Sequence, residues 1–152
     1  ELDGSVARMQ TLVNPNTLIP ASASGVHGIT DLMVQNAPDF VAVGKEFLQF
    51  ADGSTLVAHN ARFDLGFLQE SCARSGLPLW RGRTIDTIRL LKTTHSNLPS
   101  YSLQNLRQIF QLDDPFEDMC AHRAAADVEW TFQLLEIALM EALRLSGAKH
   151  HV

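Results

Sequence analysis

The stretch "STLVAHNARFDLGFLQESC" constrains the fold more than any other part of the chain. Thr55 to Ala58 is a short apolar run suited to a buried strand, and from Phe63 the apolar residues recur at helical spacing. Between the two runs lie four polar residues, His59, Asn60, Arg62 and Asp64. The continuation follows in "RGRTIDTIRLLKTTH", a brief strand leading into another helix. Strands alternating with helices predict an α/β domain, a mixed β-sheet flanked by helices. Taken singly, Asn60 is a favoured helix N-cap and Asp64 a carboxylate well placed in a helix dipole, so neither by itself requires a function.

The remaining elements follow from the same signals. "SVARMQTLV" predicts a strand, with Val6, Arg8, Gln10 and Leu12 alternating against Ala7, Met9, Thr11 and Val13. A turn and a short helix capped by Thr30 come next, then a helix from Pro38 to just before Gly53 with Phe40, Val43, Phe47 and Phe50 on one stripe. The helix of the opening stretch should run to about Ser75 and close at Gly76 and Pro78. "SYSLQNLRQIF" predicts a helix capped by Ser100 or Ser102. A long helix follows from about Ala124 to Leu145, with Val128, Phe132, Leu135, Leu139 and Leu143 as its buried face. "AKHHV" reads as a frayed tail. With 152 residues and neither repeat nor linker, residues 1–152 are expected to form a single domain.

Twelve Lys and Arg against 17 Asp and Glu leave a formal charge of −5, which argues against a protein that coats long nucleic acids by neutralising phosphates. An enzyme that grips only a strand end remains compatible, because bound divalent metals supply the positive charge and carboxylates hold them. Cys72 and Cys120 show neither zinc spacing nor a disulfide framework, so a reducing, cytoplasmic setting is expected. No apolar run is long enough to span a bilayer, and "ELDGS" lacks the features of a signal peptide.

A second polar cluster, "HRAAAD", spans His122 to Asp127 at the entry to the final helix. Residues five apart on a helix point about 140° apart. The two side chains therefore serve one site only if His122 precedes the helix, and the turn-rich "LDDPFEDMCA" before it permits that. "LDDPFED" itself lacks the glycine and regular oxygen spacing of a calcium loop and reads as a solvated turn.

Taken in order, "VHGITD", "VAHNARFDLGFL", "IDTIRL", "LPSYSLQNL" and "HRAAADVEWTFQLL" resemble the DnaQ-like exonucleases of the DEDDh group, typified by the proofreading epsilon subunit of bacterial DNA polymerase III and the exonuclease domain of Gram-positive replicases. The resemblance runs from about Val6 to Leu145 and implies a ribonuclease H-like exonuclease fold. It implies hydrolysis of nucleotides one at a time from the 3′ end of single-stranded DNA, with two divalent ions, Mg2+ or Mn2+, as cofactors. Carried over by motif, Asp64 and Asp127 are the acidic residues of the second and third exonuclease motifs, catalytic as metal ligands, and His122 is the general base. His27, Gly28, Ile29 and Thr30, with His59, Asn60 and Phe63, shape the pocket for the terminal nucleotide or the nucleoside monophosphate product. Asp86 matches an aspartate expected to be structural, and a DNA polymerase subunit is the partner expected by analogy. Singly, His27 and His59 also read as satisfied turn or core histidines.

One part of the family pattern is absent. An Asp-x-Glu on the opening strand, followed by a threonine-glycine turn, has no counterpart ahead of "ELDGSVARMQTLVNP", which aligns with the family's later hairpin. The expectation is a sheet lacking its first strand, from a longer parent protein. Two further classes therefore accompany the exonuclease: a catalytically inactive relative that binds nucleic acid or a polymerase, and a fragment whose sheet another chain completes. An RNA-trimming exonuclease of the same family is the third alternative.

Overall fold

Two short strands run side by side and parallel, with helices arranged around them. The computed structural model describes residues 6–113 and 123–148. In chain order the elements are α1 (Ala21–His27), α2 (Asp31–Val34), α3 (Phe40–Phe50), β1 (Thr55–Ala58), α4 (Ala61–Arg74), β2 (Arg83–Asp86), α5 (Thr87–Thr94), α6 (Leu103–Phe110) and α7 (Arg123–Ala148). The strand register pairs Thr55 with Arg83 and Ala58 with Asp86, so β1, α4 and β2 form a βαβ unit. α4 packs on both strands, and α7 packs on β1 and on α5. No helix among the described residues is long and apolar enough to cross a membrane.

Side-chain caps set where several helices begin. The Asp39 carboxylate accepts from the Ala42 N–H at 3.0 Å, so α3 starts at Phe40 and Pro38 lies outside it, two residues later than the sequence predicts. Ser102 caps α6, its hydroxyl accepting from the Asn105 N–H at 3.3 Å. At the far end of α4 Gly76 turns left-handed at φ 65°, and the Leu77 N–H reaches back to the Cys72 carbonyl at 2.9 Å. This closure carries Leu77 against α3, where a Cβ added to buried Gly44 would lie 2.7 Å from Leu77 Cδ1.

Three expectations require correction. Residues 6–13 form no strand, and only an isolated bridge from Asn14 to Asp39 follows. A β-ladder needs a neighbouring backbone as well as alternation, and no described strand lies beside this run. "SGVH", expected within a turn, is the end of α1. The buried face of α7 is also different: Ala126, Trp130, Leu134 and Ala138 are buried, whereas Val128, Phe132, Leu139 and Leu143 are between 47% and 70% exposed. The chosen face joins Leu91 of α5, Leu106 of α6 and Leu112 in one cluster. Its two alanines allow close helix approach. The Arg107 guanidinium lies 4.5 Å from the centre of the Trp130 ring, a cation–π contact that a leucine stripe would not make.

Cys72 is fully buried in α4, and burial pushes its thiol above the ordinary range. Cys120 lies outside the described residues.

Candidate functional site

The polar residues collect where the two strands end and α4 and α5 begin. At the first of these turns Asn60 adopts the left-handed conformation, φ 69° and ψ 51°, which asparagine tolerates better than most residues. Asn60 occupies the position expected of an N-cap, but its side chain makes no capping bond. The physical reason is the backbone: a capping side chain reaches back to the helix from extended dihedrals, and a left-handed residue cannot direct it there. The backbone N–H of Asn60 instead donates to Asp86 Oδ1 at 3.2 Å. The same oxygen accepts from the Ile88 N–H at 3.0 Å and caps α5. Asp86 thus binds the two βα turns together, a structural use of its charge.

His59 is held at both ring nitrogens. Nε2 faces the Tyr101 carbonyl at 2.8 Å, and because a carbonyl only accepts, Nε2 carries a proton. Nδ1 lies 2.9 Å from the hydroxyl of Thr87, a residue with no exposed surface, and that hydroxyl is also 3.4 Å from the Ala58 carbonyl. The ring therefore ties the end of β1 to the start of α5 and to the segment before α6. Neither Thr87 nor Tyr101 is a candidate by sequence motif. The only signal was their place within the quoted stretches "IDTIRL" and "LPSYSLQNL".

Asp64 differs from both. It lies in the first turn of α4, exposed to solvent, with no hydrogen bond or ion pair among the described residues. A carboxylate there is favoured by the helix dipole and is spent on no internal contact. Beside it, Asn60, Arg62, Phe63, Gly66, Phe67 and Glu70 line a shallow groove of about 510 Å³. Asp127 is exposed near the start of α7, and its carbonyl accepts from the Thr131 hydroxyl at 2.7 Å. Asp64 and Asp127 thus sit on two helices that both pack on β1. His122 lies outside the described residues, and α7 begins at the next position, Arg123.

The remaining candidates cluster at the end of α1. His27 is its last residue, and Nδ1 accepts from the Ile29 N–H at 3.0 Å. Gly28 turns left-handed at φ 74° while its N–H donates to the Ser24 carbonyl at 2.8 Å. Thr30 stands at the N-cap of α2 in extended conformation, and its side chain makes no capping bond. Ile29 between them is half-buried.

Asp64 and Asp127 are hard oxygen donors of the kind magnesium and manganese prefer. Among the described residues, however, no three His, Cys, Asp or Glu side chains come together to hold a metal ion. The described residues alone therefore do not make a two-metal cage.

A sequence model of the Exonuclease (RNase_T) family matches residues 2–135. The 3′–5′ exonuclease DinG of Bacillus subtilis (strain 168) is 36% identical over 139 residues, which are 90% of this chain and 14% of that protein. A DNA polymerase III subunit epsilon-like protein of Rhodobacter capsulatus is 37% identical over 137 residues, 90% of this chain and 19% of the relative. The DNA polymerase III subunit epsilon of Treponema pallidum is 32% identical over 146 residues, 95% of this chain and 66% of the relative. Among solved structures, Exonuclease X in complex with 5′ overhanging duplex DNA superposes with a TM-score of 0.66 at 29% identity, covering 91% of this chain and 76% of that one.

Proposed function

This chain belongs to the exonuclease family, and from that premise we propose that it is a metal-dependent 3′–5′ exonuclease acting at the 3′ end of single-stranded DNA. The observation that carries the proposal is the family match over residues 2–135, which takes in Asp64, His122 and Asp127 in order. An exposed, uncommitted Asp64 beside an open groove supports it.

In this reading His122 takes the proton of the attacking water, the phosphorus–O3′ bond breaks, and a nucleoside monophosphate leaves. Members of the family use divalent metal ions. Two such ions, Mg2+ or Mn2+, would supply charge stabilisation at the phosphate, with Asp64 and Asp127 among their ligands. The turn residues His27, Gly28, Ile29 and Thr30, with His59, Asn60 and Phe63, receive the terminal nucleotide. His59 contributes by holding its turn in place, since both of its ring nitrogens are engaged within the protein. A DNA polymerase subunit is the partner this reading favours, by analogy with the relatives named above.

The test is incubation with a 5′-labelled single-stranded oligonucleotide and Mn2+, with Asp127→Ala and His122→Ala in parallel. Products shortened one nucleotide at a time, lost in both variants and in EDTA, are the expected result. Unchanged digestion by either variant would sink its assigned role. A second reading, an inactive relative that binds strand ends, draws on the incomplete donor set among the described residues. End binding without turnover in any divalent metal would favour it.

A further inference from the structure

Thr87 opens α5 with no exposed surface, and its hydroxyl reaches out of its own helix. Three other helical threonines, Thr93, Thr94 and Thr131, donate to a carbonyl three or four residues back in the same helix, at 2.7, 3.2 and 2.7 Å. For Thr87 the residues three and four back, Thr84 and Arg83, belong to β2. Its hydroxyl instead meets His59 Nδ1 at 2.9 Å and the Ala58 carbonyl at 3.4 Å, 28 and 29 residues away in the chain. A buried hydroxyl must find a partner, and this one finds it in the turn that leads to the candidate site.

The protons can be assigned one by one. Nε2 of His59 donates to the Tyr101 carbonyl at 2.8 Å, so Nδ1 of the neutral ring offers only a lone pair. The Thr87 hydroxyl carries one hydrogen, and the nearer acceptor, Nδ1, takes it. Tyr101 is itself fixed, since its phenolic hydroxyl donates to the carbonyl of His95, the residue that closes α5, at 2.6 Å. The two ends of α5 thus hold one imidazole between them. One tautomer in one orientation satisfies both ring nitrogens.

His59 stands between the last residue of β1 and left-handed Asn60, after which the first turn of α4 presents Asp64. The other tether of this turn to β2 is the Asn60 N–H on Asp86, at a longer 3.2 Å. We infer that Thr87 is a positioning residue of the exonuclease site: its hydroxyl fixes His59 as the Nε2–H tautomer and, through the ring, fixes the turn that carries Asp64. This inference rests on the exonuclease reading of Asp64 and extends the site to a residue that touches neither substrate nor metal.

Two pairs of chains isolate the hydroxyl. The parent and Thr87→Val differ in it at nearly constant shape, and Thr87→Ser and Thr87→Ala differ in it without the methyl group, which decides the matter should the valine variant not fold. The tautomer is read from the imidazole nitrogen chemical shifts of the metal-free chain, assigned with His59→Gln. Digestion of a 5′-labelled single-stranded oligonucleotide gives KM for the strand and the half-saturating Mn2+. Thr87→Val and Thr87→Ala are expected to lose the fixed tautomer and to raise the half-saturating Mn2+ about tenfold, the low end of what outer partners of metal ligands are worth, while KM for the strand holds. Thr87→Ser is expected to restore both. A Mn2+ requirement that moves as far in Thr87→Ser, or that moves with the tautomer intact, makes Thr87 a packing residue and overturns the positioning role. Parent-like digestion by Thr87→Val and Thr87→Ala overturns it too and leaves the exonuclease reading standing. A parent chain that digests the strand in no divalent metal, with the tautomer still lost in both variants, refutes the exonuclease reading and leaves only the hold of Thr87 on His59.

Discussion

The two strand-to-helix turns begin from adjacent ends of one parallel pair and spend their aspartates in opposite ways. At the end of β2, Asp86 accepts two backbone N–H groups, and fully buried Thr87 follows it with its hydroxyl at Nδ1 of His59. At the end of β1, the chain turns through a left-handed Asn60 without a side-chain cap, and Asp64 remains exposed and uncommitted. A carboxylate that already accepts backbone hydrogen bonds is poorly available to a metal or substrate. The second turn is therefore scaffold, and the first leaves its carboxylate exposed, as the role proposed for Asp64 requires.

The sharpest way to break this contrast is to exchange the two losses. Asp64→Asn is expected to lower digestion of a single-stranded oligonucleotide at least about 100-fold, since even the outer partners of metal ligands are worth 10–100-fold, while thermal unfolding is unchanged. A lowered melting temperature together with retained activity would show that Asp64 is structural after all. Asp86→Ala should do the converse, costing about 1–3 kcal/mol in urea unfolding through loss of a cap and of the bond to Asn60. Full stability in that variant would mean that Asp86 holds neither turn.

Smaller effects sharpen the comparison. Asn60→Ala is expected to cost about 1–2 kcal/mol, because alanine must adopt the left-handed conformation, whereas Asn60→Gly should lie near neutral. Equal losses in chemical denaturation would point to the carboxamide rather than the backbone.

The smallest effect concerns Cys72, which lies in the body of α4. Its thiol titrates higher in the folded state, so its contribution is complete below the unfolded value of about 8.5 and is lost as pH rises through the folded value. The parent chain should therefore lose stability more steeply than Cys72→Ala between pH 8 and 10, measured by urea unfolding under reducing conditions. Parallel curves would show that Cys72 does not titrate differently on folding.

Local signals made much of this architecture legible. β1 begins and ends where the apolar run does, α4 ends at the expected glycine, and α6 starts after Ser102. Backbone preferences and nearest-neighbour hydrogen bonds decide such features, and both are written in short stretches of sequence. The order of "VHGITD", "VAHNARFDLGFL" and "HRAAADVEWTFQLL" likewise sufficed to indicate the family, because each motif carries its residues at fixed spacing. The cap expected of Asn60 does not form, since a side chain caps only if its own backbone is extended, and Asn60 is left-handed with its N–H given to Asp86, 26 residues away.

Only the tertiary structure decided which stripe of α7 is buried. By periodicity Val128, Phe132, Leu135, Leu139 and Leu143 are the larger and more apolar set, yet Ala126, Trp130, Leu134 and Ala138 face Leu91 and Leu106. Hydrophobicity along a helix says that some face will be covered, and the shape of what is available to cover it selects the face. In the same way the sequence by itself supplied Asp64 and Asp86 as two aspartates near two turns. Folding alone, by bringing two backbone N–H groups to one carboxylate and none to the other, separated the residue that joins the two turns from the residue left exposed beside them.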